Sequence, residues 1–345
     1  MVRYVVELTR ALHQIEGVAV HALVRPATAP FFENLLGSAG RVHVVRDLPT
    51  TALSALEGSG IGIPGLRGGF DVVHGTKNFA PRWTSALRVL TVHDMFLLER
   101  PEDHSALKRQ LISRPYLGSI RFADVILCVS AATRERMRGY APEAPAKAAV
   151  VPLAVSSALL EAPPREVPAL AGRRFALVVG DASPRKNLRL VVDGWKDVVA
   201  DDPDAVLAVV GPPGWGIVDY GRAYDGLRVA GHLAALGHVD DGELRWCYEN
   251  ARVVLCPSLH EGFGLPAAEA LAFGAPLITS EDLALCEVSG QAALHLPGTD
   301  AAAWVTAILA KLREPIDGRA VAPARTWHEV ALETRDAVLA HAAAR

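Results

Sequence analysis

Residues 251–280 read ARVVLCPSLHEGFGLPAAEALAFGAPLITS, and their pattern of apolar, glycine and alanine residues indicates the fold class. An apolar run rich in Val and Leu comes first, a glycine-containing loop follows, and an Ala-rich segment then leads to a second apolar run. Pro266 suits the first turn of a helix, where its missing N–H is not needed, and Gly274 suits the left-handed residue that ends one. The stretch therefore predicts a strand, a loop, a helix and a second strand parallel to the first.

Apolar runs of the same kind recur along the whole chain and alternate with helical patterns. Short runs of this type are typical of strands that are buried on both faces, as in parallel sheets covered by helices. We predict an α/β protein with two doubly wound, Rossmann-like parallel-sheet domains that face a central cleft. The predicted parts are a first domain at 1–158, a proline-containing linker at 159–173, a second domain at 174–315, and a helical segment at 316–345 that returns to the first domain.

The composition narrows the class of protein. The chain has 345 residues, of which 50% are hydrophobic and 21% are charged, and its formal net charge is −3. A charge this close to zero argues against a nucleic-acid-binding protein, which would carry a basic excess. The four cysteines are far apart and form no CxxC pair, which suits reduced thiols. No apolar run approaches the roughly 20 residues of a membrane span, so we expect a soluble, cytoplasmic protein.

A glycine pattern at residues 60–65, GIGIPG, formally matches the G-x-G-x-x-G motif of dinucleotide-binding proteins. That motif needs a preceding strand and a following helix, and neither is predicted at this place. We interpret the segment as a surface loop.

Two glutamates lie on either side of the glycine-rich bend in the first stretch. Glu261 is in the loop, and Glu269 falls about one turn into the predicted helix, so its side chain leans back toward the loop. Gly262 and Gly264 would let a ligand approach the backbone closely, and the helix end suits a phosphate. Alone, Glu269 would more simply stabilise the helix dipole. In this setting we predict that Glu261 holds a sugar and Glu269 a ribose, because carboxylates accept hydrogen bonds from hydroxyl groups.

Positive charge for a phosphate comes from another loop. The sequence GDASPRKN, residues 180–187, directly follows the first predicted strand of the second domain and contains Arg185 and Lys186. Ligands of doubly wound sheets bind outside the carboxyl ends of the strands, so we expect both cations to face the cleft. The two loops together predict a site for a sugar nucleotide, with its diphosphate between the cations and the helix end.

The residues of this site resemble a known family. The segment EGFGLPAAE, residues 261–269, is similar to the E-x7-E motif of the retaining GT-B glycosyltransferases of family 4, also called group 1. The resemblance extends over nearly the whole chain, including GDASPRKNL and TVHDMFLLERPE, and is most specific at 237–290. It implies a GT-B fold, with an acceptor-side first domain and a second domain that binds the donor nucleotide sugar.

The resemblance also implies roles for individual residues. Catalytic roles fall on Glu261, which would contact the donor sugar, and on His93, which would face the sugar across the cleft. A structural alternative for His93 is a hydrogen bond to a neighbouring carbonyl group. The donor-binding residues that the resemblance implies are Arg185, Lys186, Val239, Gly262, Phe263, Gly264, Leu265 and Glu269.

The implied activity is transfer of a hexose with retention at the anomeric carbon. Similarity to mannosyltransferase-like members favours GDP-mannose as the donor and a glycan, a lipid-linked molecule or a small molecule as the acceptor. The resemblance implies no obligatory metal and no cofactor besides the donor substrate. Lys108, Arg109, Arg114 and Arg121 most simply form a solvated basic surface, although such a face could touch anionic lipid at the inner face of a membrane.

The chain departs from the family pattern in two places. Members normally open with a strand and a glycine-rich loop, whereas this chain opens inside the helix RYVVELTRALHQ, so a central strand of the first sheet would be missing. Either the start at Met1 is misassigned or the protein is truncated, and truncation would leave a non-catalytic protein that binds a nucleotide sugar. Asp181 stands where many relatives have an arginine, and we expect Arg185 to substitute for it. Glycoside hydrolysis by the two glutamates is a further alternative.

Overall fold

The structure is a computed structural model, and it describes residues 2–45, 69–77, 79–82, 84–101, 112–181, 183–212, 221–316 and 324–343. The chain divides into two compact units, one formed by Met1–Leu153 with Thr326–Arg345 and the other by Ala154–Arg325. The GIGIPG segment at 60–65, Lys108 and Arg109 lie outside the described residues.

The first unit is built on short parallel strands. They are β1 (His21–Val24), β2 (Arg41–Val44), β3 (Val72–Gly75), β4 (Leu87–Val92), β5 (Val125–Cys128) and β6 (Ala148–Val150). β1 pairs with β2, and the others form a sheet in the order β3-β4-β5-β6. The sequence predicts one doubly wound sheet here, but no strand among the described residues joins β1 to β3, so the pairing gives two sheets.

Helices pack on the strands of the first unit. They are α1 (Val2–His13), α2 (Ala29–Leu36), α3 (Phe96–Glu99), α4 (Arg114–Phe122) and α5 (Ala131–Arg138). Leu90 of β4 and Ile126 of β5 are fully buried beside Tyr116 and Ile120 of α4. The apolar runs recognised in the sequence therefore form the core of this unit.

The second unit contains one parallel sheet with its strands in the order β12-β11-β10-β7-β8-β9. Their bounds are β7 (Arg174–Val179), β8 (Ala205–Val210), β9 (Leu233–Gly237), β10 (Val253–Cys256), β11 (Leu277–Ser280) and β12 (Leu294–Leu296). The chain runs outward from β7 to β9, returns to place β10 beside β7, and then runs outward in the opposite direction. The place where this order reverses, between β7 and β10, is where doubly wound sheets bind their ligands.

Helices cover both faces of this sheet. They are α6 (Ser157–Glu161), α7 (Leu188–Asp201), α8 (Gly221–Val229), α9 (Asp241–Asn250), α10 (Leu265–Ala272), α11 (Leu283–Ser289) and α12 (Ala301–Arg313). Successive strand residues point to opposite faces: Phe175 packs in one core with Tyr248 of α9, whereas Ala176 packs in the other with Trp195 of α7 and Trp304 of α12. The predicted α/β architecture on parallel sheets is confirmed.

The segment 159–173, which the sequence assigns to a linker, packs on the second unit. Leu159 and Leu170 are fully buried in its core. The guanidinium of Arg245 on α9 donates to the carbonyl oxygen of Leu160 at 2.8 Å. The prolines of this segment hide the packing from a periodicity search, because its few apolar residues follow no regular spacing.

The last described helix, α13 (Trp327–Ala343), belongs to the first unit. The Trp327 ring lies 5.9 Å from the ring of Tyr4 on α1. Trp327, Val330 and Ala331 are buried. These contacts attach the end of the chain to the unit in which it begins.

Candidate functional site

The loops that follow β7 and β10 meet at the switch point of the second sheet. The loop after β7 forms a short 3-10 turn, Pro184–Lys186, and the N–H of Leu259 after β10 donates to the carbonyl oxygen of Arg185 at 2.8 Å. Asn187, whose φ is 52°, donates from its side-chain amide to the carbonyl oxygen of Pro257 at 3.1 Å. These two hydrogen bonds hold the loop that carries Arg185 and Lys186 beside the loop that carries Glu261.

Glu261 is bound by both cations. Lys186 Nζ donates to Glu261 Oε1 at 2.6 Å, and Arg185 Nη1 donates to Glu261 Oε2 at 3.0 Å. Burial by itself raises the pKa of Glu261, but the charges of Lys186 and Arg185 and the hydrogen bonds to the carboxylate outweigh burial and lower this pKa from 4.5 to about 2. The carboxylate is therefore ionised at neutral pH, and the three charged groups together carry one net positive charge.

The glycine-rich loop enters α10 through a backbone conformation that favours glycine. Gly264 has a φ of +98°, and a Cβ at this position would lie 2.7 Å from Leu285 Cδ2. Gly262 is buried and Phe263 is half-buried before this turn, and α10 begins at Leu265. The first N–H groups of a helix have no acceptor within the helix, and the positive end of its dipole lies there. This end of α10 therefore favours a negative group.

Two glycines shape the ends of β7 and β8. A Cβ on Gly211, whose φ is +144°, would lie 1.9 Å from the carbonyl oxygen of Gly180. A Cβ on Gly180, whose φ is +146°, would lie 3.2 Å from Lys186 Cε. The aliphatic part of the lysine side chain therefore runs closely along the backbone of Gly180, and its ammonium group reaches the acidic loop.

A cavity of about 390 Å³ opens at the carboxyl ends of β7, β8, β9 and β10. Of the predicted site residues, Lys186 and Glu261 line it. The described residues of its wall do not include the other predicted donor-binding residues, which are Arg185, Val239, Gly262, Phe263, Gly264, Leu265 and Glu269. Other parts of the wall are Gly180, Asp181, Leu188, Gly211, Tyr224, Gly237, Ser258 and Pro266. The volume lies within the ~300–1,000 Å³ of small-molecule sites.

Asp181 and Tyr224 line this cavity without a predicted binding role. Asp181 accepts a hydrogen bond from the hydroxyl of Ser183 at 2.7 Å. Arg185, the expected substitute for an arginine at position 181, directs its guanidinium at Glu261 in the free chain, and its substitution for that arginine stays a prediction. Tyr224 is half-buried on α8. An isolated tyrosine in a mostly polar helix gives no sequence signal for a place in a cavity wall.

Glu269 lies one turn into α10 and is 4% exposed. The hydroxyl of Tyr248 on α9 donates to Glu269 Oε2 at 2.6 Å. No local pattern in the sequence connects these two residues, because the contact joins two different helices. Ribose binding by Glu269 stays a prediction, and the hydrogen bond shows how one oxygen of its carboxylate is oriented.

Val239 lies between β9 and α9 and packs, half-buried, against the core of the second unit. Asp240 follows it and caps α9, because its carboxylate accepts from the N–H of Glu243 at 2.9 Å. The loop is therefore held in place at both ends. Contact of Val239 with a nucleotide base stays a prediction.

His93 belongs to the first unit, where it follows β4 and is 8% exposed. Its Nε2 donates to the carbonyl oxygen of Thr76 at 2.9 Å, and its ring meets the ring of Tyr4 edge-on at 4.7 Å. Burial, which the hydrogen bond to Thr76 only partly offsets, lowers the pKa of His93 to about 4. The ring is therefore neutral at pH 7. The hydrogen bond required by the structural alternative is present, and a catalytic role stays a prediction.

Two further expectations concern membrane contact and metal binding. No helix in the described part of the chain is long and apolar enough to cross a membrane. Within the same residues, no group of three His, Cys, Asp or Glu side chains could hold a metal ion. Arg114 and Arg121 are exposed on α4, and Arg121 Nε lies 3.8 Å from the carboxylate of Glu143. Lipid contact through this face stays a prediction.

Two family models match successive parts of the chain. Residues 1–159 match the model described as glycosyltransferase family 4, and residues 163–324 match the model described as glycosyl transferases group 1. The second match contains the whole cluster of Arg185, Lys186 and Glu261.

Individual proteins agree with these matches. O-antigen chain mannosyltransferase B of Escherichia coli is 29% identical over 283 residues, which are 77% of this chain and 73% of that protein. Sucrose-phosphate synthase from Thermosynechococcus elongatus has a TM-score of 0.65 at 20% identity, over 98% of this chain and 88% of that chain. Anabaena HepE in complex with UDP-glucose has a TM-score of 0.64 at 13% identity, over 98% of this chain and 92% of that chain. The two models together match 1–159 and 163–324, so the chain, with Glu261 in the loop after β10 and Glu269 on α10, belongs to the group 1 glycosyltransferases of family 4, which have the GT-B fold.

Proposed function

We propose that the chain is a retaining hexosyltransferase that moves a sugar from a nucleoside diphosphate sugar to a glycan, a lipid-linked molecule or a small-molecule acceptor. The observation that carries this proposal is the cluster of Glu261, Lys186 and Arg185 at a cavity of about 390 Å³ on the switch point of a parallel sheet. Fixed positive charge, a helix N-terminus and a buried acid suit the diphosphate and the sugar of such a donor.

The diphosphate is assigned to Lys186, Arg185 and the start of α10. As the bond between the sugar and the diphosphate breaks, negative charge develops on the leaving oxygen atoms. Fixed donors that meet such charge contribute ~3–4 kcal/mol for each key group. Gly264 has the positive φ with which the loop enters α10, and a Cβ there would clash with Leu285, so the backbone at the start of the helix depends on this glycine.

The hydroxyl groups of the donor are assigned to the two glutamates. Glu261 lines the cavity and would accept hydrogen bonds from the sugar. Glu269 would accept from the ribose, while Tyr248 orients its carboxylate. The loop at Val239 would border the base.

Retention is proposed to occur by attack on the same face from which the diphosphate departs. The bond from the anomeric carbon to the phosphate oxygen breaks, the bond to the acceptor oxygen forms, and the acceptor proton passes to the leaving phosphate oxygen. Glu261 is assigned no covalent role: its carboxylate accepts hydrogen bonds, from Lys186 and Arg185 in the free chain and from the sugar hydroxyl groups in the donor complex. His93, neutral at pH 7, is assigned a hydrogen-bonding contact with the sugar. A trapped covalent bond between sugar and Glu261 would contradict this mechanism.

GDP-mannose is the proposed donor, and mannose is the sugar transferred. The support is the similarity to an enzyme named as a mannosyltransferase over 77% of this chain. Lys186 and Arg185 already supply positive charge at the diphosphate position, so the proposal includes no obligatory metal ion.

A donor-binding protein without transferase activity is the second candidate. It is favoured by the position of the charged cluster, since Arg185, Lys186 and Glu261 all belong to the second unit. The described strands of the first unit, in contrast, form two sheets rather than one. Turnover with an acceptor distinguishes a transferase from this alternative.

A panel of nucleotide sugars tests the proposal, first by thermal shift and then by transfer to glycan and lipid-linked acceptors. We expect GDP-mannose to raise the melting temperature and its sugar to appear in the product with retained configuration, as measured by NMR. Glu261→Ala should abolish transfer. Binding without transfer to any acceptor would favour the second candidate. Sugar release from a glycoside that carries no nucleotide would favour hydrolysis and contradict the proposal.

A further inference from the structure

The cations assigned to the diphosphate already bind an anion that belongs to the protein. Each carboxylate oxygen of Glu261 accepts a hydrogen bond from a different cation, Lys186 at 2.6 Å and Arg185 at 3.0 Å. The side chain of Glu261 is 9% exposed, that of Lys186 is 13% exposed and that of Arg185 is 21% exposed, so water screens these ion pairs little. The carboxylate therefore occupies the cations that an incoming phosphate group needs.

A ligand that takes these cations leaves the carboxylate in an unfavourable state. Burial is the largest single influence on the pKa of Glu261 and disfavours the ionised carboxylate. Only the charges and hydrogen bonds of its partners offset this effect. A buried charge that loses its partner destabilises the protein strongly. A bare diphosphate that binds Lys186 and Arg185 removes the cations from the buried Glu261 carboxylate. The free energy lost by the carboxylate weakens the binding of the diphosphate.

An intact donor offers a replacement for the lost contacts. Sugar hydroxyl groups can donate hydrogen bonds to an ionised carboxylate, and such charge-assisted bonds are roughly twice as strong as neutral ones. A nucleoside diphosphate without its sugar offers no such donors at that place. The same glutamate thus opposes the two ligands to different degrees.

We propose that Glu261 is a built-in competitor for the diphosphate, and that it makes the site favour the intact donor over the nucleoside diphosphate product. This inference rests on the proposed function, since it assigns donor and product to this cavity. After transfer, the carboxylate loses the sugar hydroxyl groups and takes Lys186 and Arg185 back. Recovery of these ion pairs then promotes release of the product.

The opposite role for Glu261 would be to position the two cations for the diphosphate. The side chain of Lys186 lies against Gly180, because a Cβ on that glycine would be 3.2 Å from Lys186 Cε. The amide of Asn187 holds the turn that carries both cations. Because other contacts position the turn, loss of the carboxylate should leave two available positive charges rather than a collapsed site.

Isothermal titration of the full chain tests the competition. The ligands are inorganic pyrophosphate, GDP and GDP-mannose, and the proteins are wild type and Glu261→Gln. The control is Glu281→Gln, which removes the same charge from an exposed residue of the same unit. We expect Glu261→Gln to bind pyrophosphate and GDP about tenfold more tightly or better, which corresponds to about 1.4 kcal/mol. The gain for GDP-mannose should be smaller, and Glu281→Gln should match the wild type within about twofold.

Equal or weaker binding of pyrophosphate and GDP by Glu261→Gln would overturn the inference, as would an equal gain for GDP and GDP-mannose. If Glu261→Gln does not fold, Glu261→Asp decides, because its shorter side chain loosens the same contacts and should also tighten pyrophosphate binding. Pyrophosphate contains no sugar, so tighter binding of this probe in a chain that transfers no sugar would overturn the proposed function and leave the competition intact. Transfer by the wild type with unchanged pyrophosphate affinity in the variant would overturn the inference alone.

Discussion

Replacement of Glu261 by glutamine should destabilise the second unit by an amount that follows from its ion pairs. Lys186 and Arg185 contact its two oxygens, and its pKa falls from 4.5 to about 2 in the folded chain. One pKa unit corresponds to about 1.4 kcal/mol, so the folded chain stabilises the carboxylate by about 3 kcal/mol relative to the unfolded chain. We expect Glu261→Gln to lower the free energy of unfolding by about 3 kcal/mol at neutral pH, as for other broken buried pairs.

The pH dependence of this loss has a definite sign. The pKa of Glu261 is lower in the folded chain than in the unfolded chain, so between these values the unfolded chain binds more protons. The stabilisation is fully present above a pH of about 4.5 and is lost as the pH falls through about 2. The difference between wild type and Glu261→Gln should therefore be constant near neutral pH and shrink in acid.

Urea unfolding followed by tryptophan fluorescence measures the loss. Trp195 and Trp304, at 0% and 1% exposure, report on the core of the second unit. Glu281→Gln is the control for a change of net charge. In a double-mutant cycle, Lys186→Met should cost less in the Glu261→Gln background than in the wild type, because the pair is already broken. A loss below about 1 kcal/mol, or one equal to that of the control, would refute the calculated stabilisation.

Three further outcomes follow from the geometry of the site and of the histidine in the first unit. Gly211→Ala places a Cβ 1.9 Å from a backbone oxygen, so it should lower the free energy of unfolding in urea by more than about 2 kcal/mol. The control is Gly226→Ala on α8, which has nothing within 4 Å of its Cβ and should not destabilise the helix. Lys186→Ala should weaken GDP-mannose binding at least about tenfold in a titration and reduce transfer as well, and unchanged affinity would remove the lysine from the site. Because the pKa of His93 is about 4, the pH profile of transfer should show no step near neutral pH that His93→Gln abolishes.

The fold and part of the site could be predicted from the sequence because their signals are local. Apolar runs that end in glycine or proline predicted the parallel strands, and their carboxyl ends gave the candidate loops. Lys186 and Glu261 each follow such a run, and the structure brings them within 2.6 Å. The resemblance to family 4 pointed to the same residues and is confirmed by the family models.

Other features depend on contacts between distant parts of the chain and gave no local signal. The hydrogen bond from Tyr248 to Glu269 joins two helices, and Tyr224 reaches the cavity wall from a third. Packing of 159–173 on the second unit depends on a few leucines among prolines. The sequence predicted that cations and acids share a site, but not that both cations bind Glu261, because that choice depends on side-chain geometry.

In the proposed complex, the diphosphate of a nucleotide sugar binds between Lys186 and the start of α10 at Leu265. A crystal structure of the chain with GDP shows whether the phosphates lie there. We expect a phosphate oxygen within hydrogen-bond distance of Lys186 Nζ, with the other oxygens directed at the first N–H groups of α10. A GDP molecule whose phosphates lie away from both, or that occupies another surface, would contradict the claim.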